Sequence, residues 1–169
     1  MRPRLLRRRS IYPNPSYIVI RYKLPVKAVV DISLSSYRAL AEFRHQIRLF
    51  LHFSEEAARQ IGIEPQQHQL LLAIKGIPVG TQPTIRRIAE RLQLRHHSVV
   101  ELVDRLTEHG AIVRETNPED GREVRLRLTR AGERLLLKLS IAHHDELGKA
   151  GPALRDALDA VLQLSRKKS

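Results

Sequence analysis

Residues 84–114 read TIRRIAERLQLRHHSVVELVDRLTEHGAIVR, and this stretch decides the fold. Thr84 is a residue that caps helix N-termini, and Ile85, Ile88, Ala89 and Leu92 follow it at three- and four-residue spacing. A break of a few residues at Gln93-Leu94 leads into a second helix over 95–108, where Val99, Leu102, Val103 and Leu106 repeat the pattern until Gly110. Two short helices joined this closely form a helix-turn-helix. With that apolar set turned inward, His97, Glu101 and Asp104 fall on the opposite face, flanked by Ser98, Val100 and Arg105. The start of the second helix also presents free backbone N–H groups suited to a phosphate.

Downstream, the period changes from 3.6 to 2. Residues 111–115 and 123–128 are predicted strands, the second alternating Val124, Leu126 and Leu128 with Arg125 and Arg127. Between them Asn117-Pro118-Glu119-Asp120-Gly121 has the composition of a tight turn. A β-hairpin directly after a helix-turn-helix is a wing. Thr129 then caps a helix predicted to run to about His144, Gly151-Pro152 interrupts it, and a last helix covers 153–165. Upstream, Leu40, Phe43, Ile47, Phe50 and Leu51 mark a helix over 35–60, and a second helix follows over 64–75 before Gly76-Ile77-Pro78 and Gly80. The expected order is α-α-α-α-β-β-α-α, a mainly α fold with a small β-hairpin wing.

The formal net charge is +12, but it is unevenly spread. Residues 1–33 hold eight basic groups against Asp31 alone, which leaves +5 for everything after them. They read as a basic, loosely ordered arm, with residues 34–169 as the folded domain. Charge alone is thus a weak argument for a polyanionic partner. Aromatics are 4% of the chain, so the core must be aliphatic, which favours helices over a β-sandwich. Cysteine is absent, which excludes disulfides, thiolate zinc sites and thiol redox sensing. The basic N-terminus lacks the apolar core of a secretory signal, and no apolar run approaches the ~20 residues of a membrane span. A soluble, cytoplasmic protein without membrane contact is expected.

The helix-turn-helix motif, then Val103-Asp104-Arg105-Leu106, His109-Gly110-Ala111-Ile112-Val113-Arg114, Pro118-Glu119-Asp120-Gly121-Arg122 and Leu128-Thr129-Arg130-Ala131-Gly132 together resemble the MarR family of bacterial regulators. The resemblance covers roughly residues 36–165. It implies a transcriptional regulator, a ligand-responsive repressor, that binds a pseudo-palindromic double-stranded DNA operator as a homodimer. Helices 35–60 and 133–165 would supply dimerisation, and 64–128 the DNA-binding lobe. Residues 95–108 would be the recognition helix in the major groove, with the wing in the minor groove. The implied DNA-binding set is Thr84, Arg95, His96, His97, Ser98, Val100, Glu101, Arg105, Asp120 and Arg122. Two positions depart from the family's pattern. Arg95 stands where Ser or Thr is frequent and cannot cap the helix, though it can neutralise a phosphate. Glu101 stands where a basic or neutral residue is common; near DNA it accepts from cytosine N4 or repels phosphate. In the wing, Arg122 would enter the minor groove and Asp120 would orient it. The resemblance also implies a cleft for a small anionic or phenolic effector, lined by Tyr37, Phe43, Arg44, His45, Arg48, His52 and His68.

Several blander readings compete. Arg122, Arg125 and Arg127 are also what a solvated hairpin would carry. His96-His97 and His143-His144 point about 100° apart in each pair, so neither chelates one ion well; His45, His52 and His68 could converge, but surface or packing roles are the expectation, and no metal or cofactor is expected. No phosphate-cradling glycine loop, HExxH or G-x-S-x-G occurs, which argues against an enzyme. The alternative from another class is a winged-helix protein-interaction module that does not read DNA sequence.

Overall fold

Ser33 begins the first helix by capping it: its Oγ accepts from the Ser36 N–H at 3.3 Å, and α1 runs over Leu34–Gln60. The computed structural model describes residues 32–116 and 124–166. The first 31 residues, the turn expected at Asn117 to Gly121, and so Asp120 and Arg122, lie outside the described residues. Gln67 Oε1 accepts from the Glu64 N–H at 2.8 Å and Pro65 occupies the first turn of α2 (Pro65–Lys75), where a missing N–H costs nothing. The helix-turn-helix follows as α3 (Ile85–Leu92) and α4 (His96–Glu108). An antiparallel hairpin comes next, β1 (Ile112–Thr116) and β2 (Val124–Leu128), in register Ile112 to Leu128 through Thr116 to Val124.

The last element departs from the sequence expectation. A single helix, α5 (Arg130–Arg166), runs through Gly151 and Pro152, where two helices were expected. Proline removes one hydrogen bond and presses on the carbonyl four residues back, which here belongs to Gly148. The inward positions Leu139, His143, Glu146, Ala150, Leu154, Ala157 and Val161 keep helical spacing across that point, and all are buried or half-buried. Packing of that face along α1, the most extensive contact between any two elements, outweighs the local breaker.

Two tight contacts join the elements. Thr129 Oγ1 donates to the Gly110 carbonyl at 2.6 Å and accepts from the Gly132 N–H at 3.1 Å, so it ties the end of α4 to the start of α5. Gly132 lies so close to β1 that an added Cβ would sit 2.0 Å from the Ala111 carbonyl oxygen, which only glycine tolerates. The core lies where α2, α3, α4, the hairpin and the first turns of α5 meet; Leu70, Leu71, Ile88, Leu106, Ile112, Leu126 and Leu139 are all fully buried there. None of the described helices is long and apolar enough to cross a membrane.

Candidate nucleic-acid interface

The geometry of α4 begins with what holds it. Its buried residues are Val99, Leu102, Val103 and Leu106, the set its spacing marks as apolar. Each such burial contributes roughly 1.5–3 kcal/mol, which fixes the helix's rotation about its axis. His96, His97, Glu101 and Arg105 are consequently exposed, and Ser98 and Val100 half-buried. Gln93, left-handed at φ 55°, makes the turn from α3, and buried Leu94 pins it to the core. Arg95 occupies the N-cap of α4 without a side-chain cap bond, so its guanidinium is exposed beside free backbone N–H groups.

Asp104 is held differently from its neighbours. Its Oδ1 lies 2.6 Å from an Arg114 guanidinium nitrogen on β1, which links α4 to the hairpin. The other end of the hairpin is strapped to the start of α3: the Leu126 N–H donates to the Pro83 carbonyl at 2.9 Å, and Thr84 bridges Arg125. Thr84 is 3% exposed, and its Oγ1 is 3.5 Å from the Arg87 N–H that it caps. The hydroxyl therefore faces the protein interior, so of the proposed DNA-facing residues Thr84 serves the fold. Arg127 pairs with Glu115 across the hairpin at 2.5 Å, so its charge is partly compensated.

The effector residues are dispersed. Tyr37, Arg44, Arg48 and His52 recur along one exposed stripe of α1, with His45 exposed beside it. His68 is 4% exposed and meets the opposite face of α1 instead. Its ring lies 4.7 Å from that of His143 on α5, which is flanked edge-on by Phe50 and Phe53. Burial first, and the charge of His143 second, pull its pKa down to about 4. Reading along the chain groups His68 with His45 and His52 and misses His143 as its partner. The available signal is the inward spacing of Leu139 and His143 on the last helix. Among the described residues no group of three or more histidines and carboxylates could hold a metal ion.

Two helices in this orientation, a strapped hairpin and flanking long helices define a winged helix-turn-helix protein. The sequence profile of the MarR family matches residues 61–123. The chain is 30% identical over 134 residues to the HTH-type transcriptional regulator YkoM of Bacillus subtilis, itself uncharacterised, an alignment spanning 77% of this chain and 85% of YkoM. It is also 30% identical over 99 residues to a transcriptional regulatory protein proposed for the hcr operon of Thauera aromatica; that match covers 59% of this chain and 58%, under two thirds, of the relative. Among solved structures, the transcriptional repressor CouR bound to a 23-mer DNA duplex superposes with a TM-score of 0.56 at 26% identity, covering 73% of this chain and 87% of CouR. The chain belongs to the MarR family, which places it among transcription regulators and not among enzymes.

Proposed function

We propose that the protein is a homodimeric, sequence-specific DNA-binding repressor of the cytoplasm, with α4 reading a major groove. The observation that carries this reading is the rotation of α4. Its entire apolar face is buried, so His96, His97, Glu101 and Arg105 stand outward on a helix that packing holds rigid. A rigid, outward polar helix is what base-edge readout requires, whereas a helix that rolled about its axis would not discriminate bases. Arg95 meets a phosphate at the start of α4, a contact that positions without specifying. The family resemblance offers Arg122 to the adjacent minor groove, a role that lies outside the described residues.

The dimer follows from what α1 and α5 leave uncovered. Leu34, Leu40 and Leu51 on α1, and Leu137, Ile141, Leu158 and Leu162 on α5, are exposed in the single chain. A second copy related by a two-fold axis covers such a face and sets two recognition helices on a pseudo-palindromic operator. A small anionic or phenolic effector is taken by the stripe of Tyr37, Arg44, His45, Arg48 and His52, where two guanidiniums lie along one face of α1. His68, turned to the opposite face, falls outside that set.

Selection of the full-length protein on random DNA duplexes, followed by titration of the enriched duplex against salt, tests the reading. We expect a two-fold symmetric consensus, bound with an affinity that falls steeply as salt rises. Enrichment of no sequence would instead establish a protein-interaction module.

A further inference from the structure

Seven of the eight histidines are exposed or half-buried; His68 alone is buried. It sits where α2, part of the DNA-binding lobe, meets the pillar formed by α1 and α5. Its partner His143 is anchored through both ring nitrogens. Nδ1 of His143 lies 2.6 Å from the Leu139 carbonyl oxygen, which accepts only, so Nδ1 carries a proton. Nε2 lies 2.8 Å from the Ser54 hydroxyl oxygen, a hydrogen bond that spans from α5 to α1. His68 stacks obliquely on this anchored ring at 4.7 Å and 47°, and its own Nδ1 is buried without a hydrogen-bond partner. A proton added there would have no acceptor and would face a second imidazole.

From α5 the titratable groups on the inward side are His143, whose charge when protonated disfavours a proton on His68, and Glu146, one turn further along, which does not act on His68. Around the pair α1 presents Phe50, Phe53 and Ser54, none of which titrates. The faces that α3, α4 and β2 bury against the core that includes α2 are aliphatic, through Ile88, Val99, Val103 and Leu126. Burying an unpaired charge in such surroundings is strongly unfavourable, so protonation selects arrangements in which the joint opens.

We propose that His68, stacked on the anchored ring of His143, forms a proton-operated joint between the DNA-binding lobe and the α1–α5 pillar, closed when His68 is neutral, and that acidification loosens it and weakens operator binding. The last clause alone rests on the reading of α4 as a DNA-reading helix. The sign follows from the direction of the shift. A histidine whose folded pKa is depressed to about 4, against roughly 6.5 when solvated, contributes stability above pH 6.5 that is lost as pH falls toward 4. At pH 5.5 this shifts the equilibrium between closed and open joint by about tenfold.

The test compares the full-length wild type with His68→Leu, His68→Gln and, as an exposed-histidine control, His109→Ala at pH 7.5 and 5.5, by thermal melting and by binding to the selected operator. Melting is expected to fall about 3–5 °C further in the wild type than in His68→Leu on acidification, and His109→Ala is expected to behave as wild type. If His68→Leu does not fold, His68→Gln, which keeps a polar side chain but cannot titrate, takes its place. Proton NMR titration of the wild type provides a readout without substitution: a His68 midpoint well below 6.5 is expected. Equal acid sensitivity with and without His68, or an ordinary His68 midpoint, overturns the joint. Operator affinity that falls with acid in wild type alone supports the coupling, and an identical pH profile in both proteins overturns it. Failure to bind any duplex at pH 7.5 would count against the DNA reading, while melting and NMR still decide the joint.

Discussion

The lobe formed by α2, α3, α4 and the hairpin closes its core within one chain, whereas the α1–α5 pillar does not. In the lobe most large aliphatics are buried, nine of them almost completely when Leu139 of α5 is included, while Leu72 and Val124 stay exposed. Along the 27 residues of α1 only Ala58 is buried, and α5 leaves Leu137, Ile141, Leu147, Leu158 and Leu162 exposed. Both regions are built on helices that carry an apolar stripe, so helix amphipathicity alone does not explain the difference. The lobe's short helices pack on several neighbours at once, while each pillar helix has one long neighbour and a second side left over. The same chemical signal, an apolar stripe, therefore specifies folding in one region and assembly in the other.

The largest expected effect should fall on the lobe. Leu106 is fully buried between α4 and the hairpin, and Leu106→Ala removes its packing and leaves a cavity. A loss of about 3 kcal/mol in urea unfolding is expected, with an unchanged dimer. A loss below about 1 kcal/mol would show that the lobe does not hold a self-contained core.

The pillar should fail in the opposite manner. Leu158 and Leu162 lie one turn apart on the exposed side of α5. Replacing both by Glu sets carboxylates into the proposed two-fold contact while leaving the lobe untouched. Sedimentation should then show monomer at concentrations where the wild type is dimeric, and operator affinity should fall by at least about tenfold because each monomer reaches a single half-site. A double variant that remains a dimer would relocate the interface.

These differences bear on how much of the molecule is legible in its residues. Helix spacing in 84–108 marks both helices nearly to the residue, because the apolar set at Ile88, Val99, Leu102, Val103 and Leu106 is complete and locally bounded. The strands are legible from Val124, Leu126 and Leu128 for the same reason. The continuity of α5 is not legible, since Gly151-Pro152 is a strong local breaker and what overrides it is contact with α1, roughly a hundred residues earlier in the chain. Thr84 carries two readings in the sequence, a helix cap and a DNA contact, and its burial leaves it the first role. The pairing of His68 with His143 is likewise a long-range outcome: the spacing of Leu139 and His143 turns His143 inward, but nothing local says that His68 will meet it.

Smaller effects are expected on the outward face of α4, and there they should change kind as well as size. His97 and Glu101 lie one turn apart and exposed, on a helix fixed by its buried side. Each Ala substitution should leave melting nearly unchanged and alter which bases are selected, at a cost of roughly 1–3 kcal/mol for each good base-edge hydrogen-bond pair removed. An unchanged base preference in both variants would remove α4 as the reading element.

Arg95 should give the smallest effect and the most diagnostic one. It occupies the N-cap of α4 but makes no side-chain cap bond, so Arg95→Ala removes no hydrogen bond from the helix end. Its guanidinium is exposed next to backbone N–H groups that already favour an anion, a placement suited to a phosphate and not to a base edge. The substitution should therefore weaken every duplex by a similar factor and leave the selected consensus as it was. Plotted as log affinity against log salt, the slope should fall by about one, as expected when one fewer phosphate is neutralised. A change in consensus with an unaltered slope would make Arg95 a base reader and extend the reading surface of α4 back into the turn. An unaltered slope and consensus would instead place the helix start away from the backbone, with the lobe rotated so that the hairpin carries the phosphate contacts.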